Sequence, residues 1–113
     1  MLTPNARTAD QSDAAPLFAA LGDETRLALV DRLCAGGPLS IARLTAGSTV
    51  TRQAITKHLQ ILAAVGLVHD RWHGRERIWE LDTARLDEAR RRLDQISQQW
   101  DEALNRLKRF VED

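Results

Sequence analysis

The chain has 113 residues, enough for one small domain, and its 16 Lys and Arg residues are balanced by 16 Asp and Glu residues. A net charge of zero excludes a uniformly basic nucleic-acid-binding protein, so any DNA-binding surface would have to concentrate its positive charge locally. The chain has no run of roughly 20 apolar residues that could span a membrane, no N-terminal secretory pattern and a single cysteine, Cys34, so we expect a cytoplasmic protein without an internal disulfide.

The N-terminal part is predicted to be a tail followed by a short helix. Residues 1–12 are small and polar and include a proline, which is typical of a flexible tail. The folded domain should therefore span residues 13–113. Its first helix is expected to run from Asp13 to Leu21 and to end at Gly22.

Two further helices are expected next. Asp23 can cap the second helix, whose end is marked by the Gly-Gly-Pro run at 36–38. The third helix is predicted over residues 39–47. The apolar stripe of the second helix is predicted to consist of Leu27, Val30, Leu33 and Cys34. On that stripe, Cys34 is expected to be a buried structural cysteine rather than a redox switch.

A fourth helix, over residues 51–65, combines an apolar face with a polar one. Thr51 is its candidate N-cap, and Gly66 is the residue expected to end it. His58 directly precedes an apolar position, so it either packs between helices or joins the polar face. The apolar positions recur at spacings of three and four and are Ala54, Ile55, Leu59, Leu62 and Val65.

The polar face carries hydrogen-bonding side chains in its first two turns, which is the part of a recognition helix that meets base edges in a major groove. Gln53 can make a bidentate contact to adenine, and Arg52 can contact guanine or a phosphate. Thr56 can approach a thymine methyl group or a base edge. The residues assigned to phosphate contacts are Lys57, Thr49 and Thr51.

After this helix the apolar pattern changes to a period of two. Residues 67–81 are predicted to form a hairpin, with strands over 67–72 and 77–81 and a glycine-containing turn over 73–76. A helix followed at once by a basic-tipped hairpin indicates a winged helix-turn-helix.

The basic residues of the hairpin are the second set of candidate DNA contacts. Arg75 lies at the turn and is expected to reach the minor groove or its phosphates, with Arg77 or His73 assisting. The alternative for Arg71 and Arg77 is an ordinary position on the strand surface.

Residues 83–111 are predicted to form one long helix of roughly 43 Å. An apolar stripe of this length exceeds what a domain of this size can cover, so a second copy of the chain is the expected partner. The alternative is a C-terminal helix curled over its own domain. The stripe consists of Leu86, Leu93, Ile96, Trp100, Leu104, Leu107 and Val111. The three tryptophans, Trp72, Trp79 and Trp100, are expected to fill the core and the interface between copies, and the alternative is that they line a small-molecule pocket.

Two segments resemble the arsenical-resistance repressor (ArsR/SmtB) family. The run from Leu17 to Val30 is similar to the opening of that family, with its Gly-Asp step and an Arg in the next helix. The recognition segment is similar to the family pattern Ser-x-x-x-x-Ser-x-His-Leu-x-x-Leu-x-x-x-Gly-Leu-Val, with Thr51 and Thr56 where serines are usual. The resemblance implies a dimer formed by the first and last helices. The interface residues expected on that basis are Leu17, Phe18, Leu93, Ile96, Trp100, Leu104 and Leu107.

Family members often sense metals through a cysteine pair on the helix before the recognition helix, or through Asp and His ligands on the last helix. The third helix here contains no cysteine, and residues 83–113 contain no histidine. The sequence therefore resembles the metal-independent branch, and we expect no metal site and no cofactor. No residue pattern identifies an effector.

These observations predict a mainly α (α+β) fold, a winged helix-turn-helix with a two-stranded wing and a long C-terminal dimerisation helix. The predicted function is a homodimeric, sequence-specific regulator that binds double-stranded DNA at an imperfect inverted repeat and represses its own operon. The alternative is a protein-interaction module built on the same scaffold. No phosphate-binding loop or nucleophile motif is present, and the carboxylate pairs Asp87-Glu88 and Asp101-Glu102 are expected to be solvated on a helix surface, so we expect no enzymatic activity.

Overall fold

A computed structural model describes residues 14–112. The tail predicted over residues 1–12, and the helix start at Asp13, lie outside the described residues. The described elements are, in chain order, α1 (residues 14–21), α2 (Glu24–Gly36), β1 (Leu39–Ser40), α3 (Ile41–Thr45), α4 (Arg52–Ala64), β2 (Val68–His73), β3 (Glu76–Leu81) and α5 (Thr83–Glu112). None of these helices is both long and apolar enough to cross a membrane.

The core lies where α1, α2, α3 and α4 meet the sheet. The predicted apolar stripe of α4 is confirmed, since Ile55, Leu59 and Leu62 are all buried. Because these positions are spaced by four and three, they stay on one side of the helix and leave the other side to solvent. The largest side chains that are almost completely buried are Trp79, Leu17, Leu44, Ile55, Leu59, Leu62 and Leu67.

The sheet has three antiparallel strands in the order β1-β3-β2. The hairpin of β2 and β3 is confirmed, but β1 adds a third strand through the pairs Leu39 with Trp79 and Ser40 with Ile78. The prediction of a helix over 39–47 is therefore wrong at its start. Ser40 ends the short strand and caps α3, its hydroxyl accepting a hydrogen bond from the backbone N–H of Arg43.

The buried face of α2 differs from the predicted stripe. Its buried residues are Leu29, Val30 and Leu33, whereas Leu27 is 48% exposed and Cys34 is also exposed. Leu27 and Cys34 lie seven residues apart and therefore share one side of the helix, which faces away from the core. The expectation of a buried structural Cys34 is wrong. The apolar residues of α2 form two possible stripes, one with Leu27 and Cys34 and one with Leu29 and Leu33, and the spacing alone does not say which stripe faces the core.

The molecule, with the long helix α5 included, measures 65 × 41 × 20 Å. Only Ala89, in the second turn of α5, is buried on this helix. The alternative in which this helix curls over its own domain is therefore wrong. Its exposed apolar side chains, between 53 and 80% accessible, are Leu93, Trp100, Leu104, Leu107, Phe110 and Val111. Phe110, which the predicted stripe omits, lies beside Val111.

Of the interface residues predicted on α1, one is ruled out and one remains partly accessible. Leu17 is 1% exposed in the single chain, so its side chain belongs to the core of its own subunit and has no surface left for a partner. Phe18 is half-buried against the same core. Among the described residues, most of the large exposed apolar side chains lie on α5.

Candidate nucleic-acid interface

The start of α4 is fixed by side-chain caps that leave its outer face open. Ser48 accepts a hydrogen bond from the backbone N–H of Val50 (3.0 Å), which shapes the turn before the helix. Thr51 then caps α4 as predicted, its Oγ1 accepting from the N–H of Ala54 (3.1 Å). The first turn carries no acidic residue, so the positive end of the helix dipole is not offset by a carboxylate there. This end of the helix favours an anionic partner.

The predicted polar face of α4 is exposed at most of the positions that were predicted to contact DNA. The side chains of Arg52, Gln53 and Lys57 are exposed and have no hydrogen-bond partner within residues 14–112. Thr56 is half-buried, and its hydroxyl donates to the backbone oxygen of Arg52 (3.0 Å). Its hydroxyl oxygen can still accept a hydrogen bond. Thr49 lies in the exposed turn that precedes the helix.

His58 lies against α2 rather than on the open face. Its Nδ1 is 3.2 Å from Nη1 of Arg26 and 3.8 Å from a carboxylate oxygen of Asp23. Arg26 also donates from Nε to the backbone oxygen of Ala20 (2.7 Å), so this cluster joins α1, α2 and α4. The packing interpretation of His58 is supported, and we remove it from the candidate DNA contacts.

The Gly22-Asp23 pair noted in the sequence lies beside this cluster, and Asp23 has a structural role there. Asp23 caps α2 by accepting from the backbone N–H of Arg26 (3.0 Å), and that hydrogen bond lowers the pKa of the Asp23 carboxyl. The Asp23 and Arg26 pair thus fixes the start of α2 and supports the helix that carries the polar face.

The tip of the hairpin is a two-residue turn of Gly74 and Arg75, closed by the pair His73 with Glu76. Gly74 has a φ of 64°, the left-handed conformation that glycine adopts readily at the first position of a tight hairpin turn. Arg75 follows it, is exposed, and has no partner among the described residues. The predicted place of Arg75 at the tip is confirmed.

The other arginines of the hairpin are held within the protein. Arg77 donates from Nε to Asp70 and lies over the ring of Trp79, with its guanidinium carbon 4.8 Å from the ring centroid. Arg71 donates from Nε to Glu80 (3.2 Å) on the opposite face of the hairpin. The alternative of an ordinary strand position is supported for both, because a paired guanidinium is a poorer phosphate ligand than an unpaired one.

A cleft of about 280 Å³ separates the N-terminal part of α4 from the hairpin. Residues from both sides line it, together with the start of α3. Those that carry polar or aromatic groups are Ser40, Arg52, Thr56, Trp72, Arg75, Glu76, Arg77 and Trp79. The structure therefore brings together the predicted residues Arg52, Thr56 and Arg75 around one concave surface.

Trp72 is the residue of this cleft for which the expectation of a core position is wrong. It is 67% exposed, whereas Trp79 is 1% exposed as expected for a core residue, and a place for Trp72 between copies stays a prediction. The alternation of side chains along β2 indicates which face Trp72 is on. Val68 is buried, and Trp72 lies four positions later on the same face. The hairpin extends past the core at this end, so Trp72 lines the cleft instead of filling the core.

Within residues 14–112, no group of three or more His, Cys, Asp or Glu side chains is close enough together to hold a metal ion. The expectation of a metal-independent protein stays a prediction.

Comparison with known proteins gives a consistent assignment. Residues 21–71 match a family model described as a helix-turn-helix domain. The chain is 38% identical over 93 residues to the HTH-type transcriptional regulator Rv2034 of Mycobacterium tuberculosis, a match that covers 82% of this chain and 83% of that relative.

Solved structures agree in fold. An ArsR-like transcriptional regulator from Rhodococcus sp. RHA1 superposes with a TM-score of 0.72 at 38% identity, covering 88% of this chain and 93% of that one. The homodimeric winged helix-turn-helix DNA-binding domain Mb0332 from Mycobacterium bovis has a TM-score of 0.65 at 22% identity and covers 90 and 91% of the two chains. The second likeness concerns the fold alone.

Proposed function

This chain belongs to the ArsR-type winged helix-turn-helix transcriptional regulators and is a DNA-binding regulator, and from that premise we propose that it acts as a homodimeric repressor. In this proposal α4 enters the major groove and the β2–β3 hairpin lies on the adjacent minor groove or backbone. The dimer covers an imperfect inverted repeat near its own gene and blocks the polymerase. The family is one of regulators rather than enzymes.

The observation that carries the proposal is the unpaired polar surface at the start of α4. Arg52, Gln53 and Lys57 are exposed on the first two turns of a helix whose opposite side is fully packed. A helix that is packed against the core along one side can present the side chains of its other side to base edges with little reorganisation. Arg75 lies at the hairpin tip, on the far side of the cleft. DNA contacts by Thr49, Thr51 and Thr56 remain part of the proposal.

The dimer is supported by the apolar stripe of α5. Exposed side chains such as Leu93, Trp100 and Leu104 recur along one side of the helix, and contiguous apolar surface of this extent is rare on monomeric proteins. A structure with the same fold is described as homodimeric. Two-fold symmetry then places two α4 helices at half-sites about one helical turn apart.

Gln53→Ala is expected to weaken binding to the cognate operator by roughly 1 to 3 kcal/mol and to relax base preference at one position per half-site, because alanine cannot make the bidentate amide hydrogen bonds to adenine. Fluorescence anisotropy against operators with single base changes measures both effects. Gln60→Ala is the matched control, since Gln60 is also exposed on α4 but lies about two turns further from its N-terminus. If Gln53→Ala left the operator affinity unchanged, Gln53 would not be a base contact and the proposed DNA-reading face of α4 would be wrong.

Arg75→Ala is expected to weaken binding to all DNA sequences alike. If Arg75 binds a phosphate, its removal should flatten the slope of log affinity against log salt by about 1 for each phosphate that it neutralises. Titrations at several salt concentrations measure this slope. Arg71→Ala is the control, because Arg71 is paired with Glu80 on the opposite face of the hairpin and should leave the slope unchanged. A slope that responds to Arg71→Ala and not to Arg75→Ala contradicts the assignment.

The overall proposal is tested with DNA from upstream of the protein's own gene. Salt-dependent binding that unrelated DNA competes poorly, together with lower reporter expression in cells that carry the protein, supports a repressor. Higher reporter expression contradicts repression. Absence of DNA binding, combined with capture of another protein by α5, would favour the interaction module.

A further inference from the structure

We propose that Trp72 packs against a deoxyribose of the DNA strand that passes between α4 and the hairpin, so that it adds affinity without reading sequence. This inference rests on the proposed function, and it assigns a contact to a residue that the family pattern does not mark.

The register of the hairpin fixes where Trp72 lies. It pairs with Arg77, and the neighbouring pair on the same face is Asp70 with Trp79. Arg77 is held in place by Asp70 and by the ring of Trp79. Trp72 is therefore attached to a strand pair whose inner face is anchored in the core, and it lies close to the tip on the cleft side.

Nothing within residues 14–112 explains the exposure of Trp72. Its side chain is 67% accessible, although an indole gains more from burial than most side chains do. Trp100 is similarly exposed, but it belongs to the α5 stripe that a second copy can cover. Trp72 lies on the hairpin, in a cleft with Arg52 and Thr56. The partner that covers it should therefore be the one that binds this cleft.

The charges of the cleft favour a nucleic-acid backbone. Arg52 on one side and Arg75 on the other have no side-chain partner among residues 14–112, whereas Arg77 is paired. Glu76 is the single acidic residue among those that line the cleft. The volume of about 280 Å³ falls just below the roughly 300–1,000 Å³ of pockets that enclose small ligands. An open cleft between two arginines suits a sugar flanked by phosphates.

A sugar contact follows from the chemistry of the indole. The two arginines can bind the phosphates, and the indole, which is largely apolar, suits the apolar C–H face of the deoxyribose between them. Sugar and phosphate contacts carry no base information, so they stabilise specific and non-specific complexes alike. The indole also neutralises no charge, so its removal should leave the salt dependence unaltered.

Trp72→Ala tests this assignment. We expect roughly tenfold weaker binding to the protein's own upstream DNA and to unrelated duplex DNA, with parallel plots of log affinity against log salt. Trp72→Phe, which keeps an aromatic face, should recover most of the affinity. The thermal midpoint of both variants should match the wild type, because the side chain is exposed in the protein alone.

A spectroscopic measurement separates contact from structure. The difference in acrylamide quenching between the wild type and Trp72→Phe isolates the fluorescence of Trp72, and DNA should shield that component. Unchanged affinity in Trp72→Ala, a changed preference between DNA sequences, an altered salt slope, or no shielding would each overturn the sugar contact. If the wild type bound no DNA, the proposed function would fail as well, whereas these other outcomes overturn the inference alone.

Discussion

A protein carrying Leu104→Glu is expected to sediment as a monomer, to keep its helical circular dichroism, and to lose operator binding although every candidate DNA contact is intact. Leu104 is 57% exposed on the apolar stripe of α5, so the substitution disturbs no packing within one subunit. In the dimer, the introduced carboxylates would lie unpaired in an apolar interface, which costs several kcal/mol. Analytical ultracentrifugation and anisotropy titration measure the two effects.

The matched control for this variant is Gln98→Glu. Gln98 is exposed on the same helix but points about 160° away from the centre of the stripe, at 100° per residue. The Gln98→Glu substitution adds the same charge outside the proposed interface, so this variant should stay dimeric and bind DNA. A Leu104→Glu protein that remains dimeric and binds the operator would show that this stripe is not the interface between copies.

The effect on DNA binding at a distance has a structural route. The side chain of Asp82 accepts a hydrogen bond from the backbone N–H of Arg85 (3.1 Å) at the start of α5. Arg85 in turn donates from Nε to the backbone oxygen of Val65 (3.0 Å), at the end of α4. In the proposed dimer, a partner bound to α5 would therefore be linked to the end of α4 through these hydrogen bonds, and we expect the spacing of the two half-sites to depend on this link.

The sequence predicts some elements of the fold more accurately than others, and the reasons are physical. The limits of α4 and α5 follow from strong periodicity and from marked ends, with Thr51 as the cap and Gly66, at a φ of 82°, ending the turn. The face of α2 could not be fixed in the same way, because Leu27 and Leu29 are equally apolar. Which of them is buried depends on the neighbours that tertiary packing supplies.

The candidate site shows the same limit. Gln53 and Arg75 could be placed from the sequence, since a helix start and a glycine-containing turn determine their surroundings locally. The pairing of Arg77 with Asp70 depends on the register of two strands, and the exposure of Trp72 depends on how far the hairpin extends past the core. Neither is readable from composition, so the sequence alone places Trp72 in packing and Arg77 on DNA.

Trp79→Ala is expected to cost roughly 3 to 5 kcal/mol of unfolding free energy, the largest decrease in stability that a single truncation should cause here. Trp79 is 1% exposed and occupies the central strand, where it pairs with Leu39 on one side and Asp70 on the other. Its removal leaves a cavity below Arg77 and also reduces apolar burial. Since small domains are stable by only about 5 to 15 kcal/mol, the thermal midpoint should fall by roughly 10 °C or more.

The control for this last variant is Trp72→Ala, which removes the same side chain from the adjacent strand. Because Trp72 is exposed, that substitution should change stability by less than about 0.5 kcal/mol. Both variants are measured by urea denaturation at one fixed protein concentration, since a dimer's apparent stability depends on concentration. At a temperature where Trp79→Ala is still folded, DNA binding should be weakened too, because the hairpin then lacks the residue that anchors it to the core. Equal stabilities for the two variants would show that the hairpin is not anchored through Trp79.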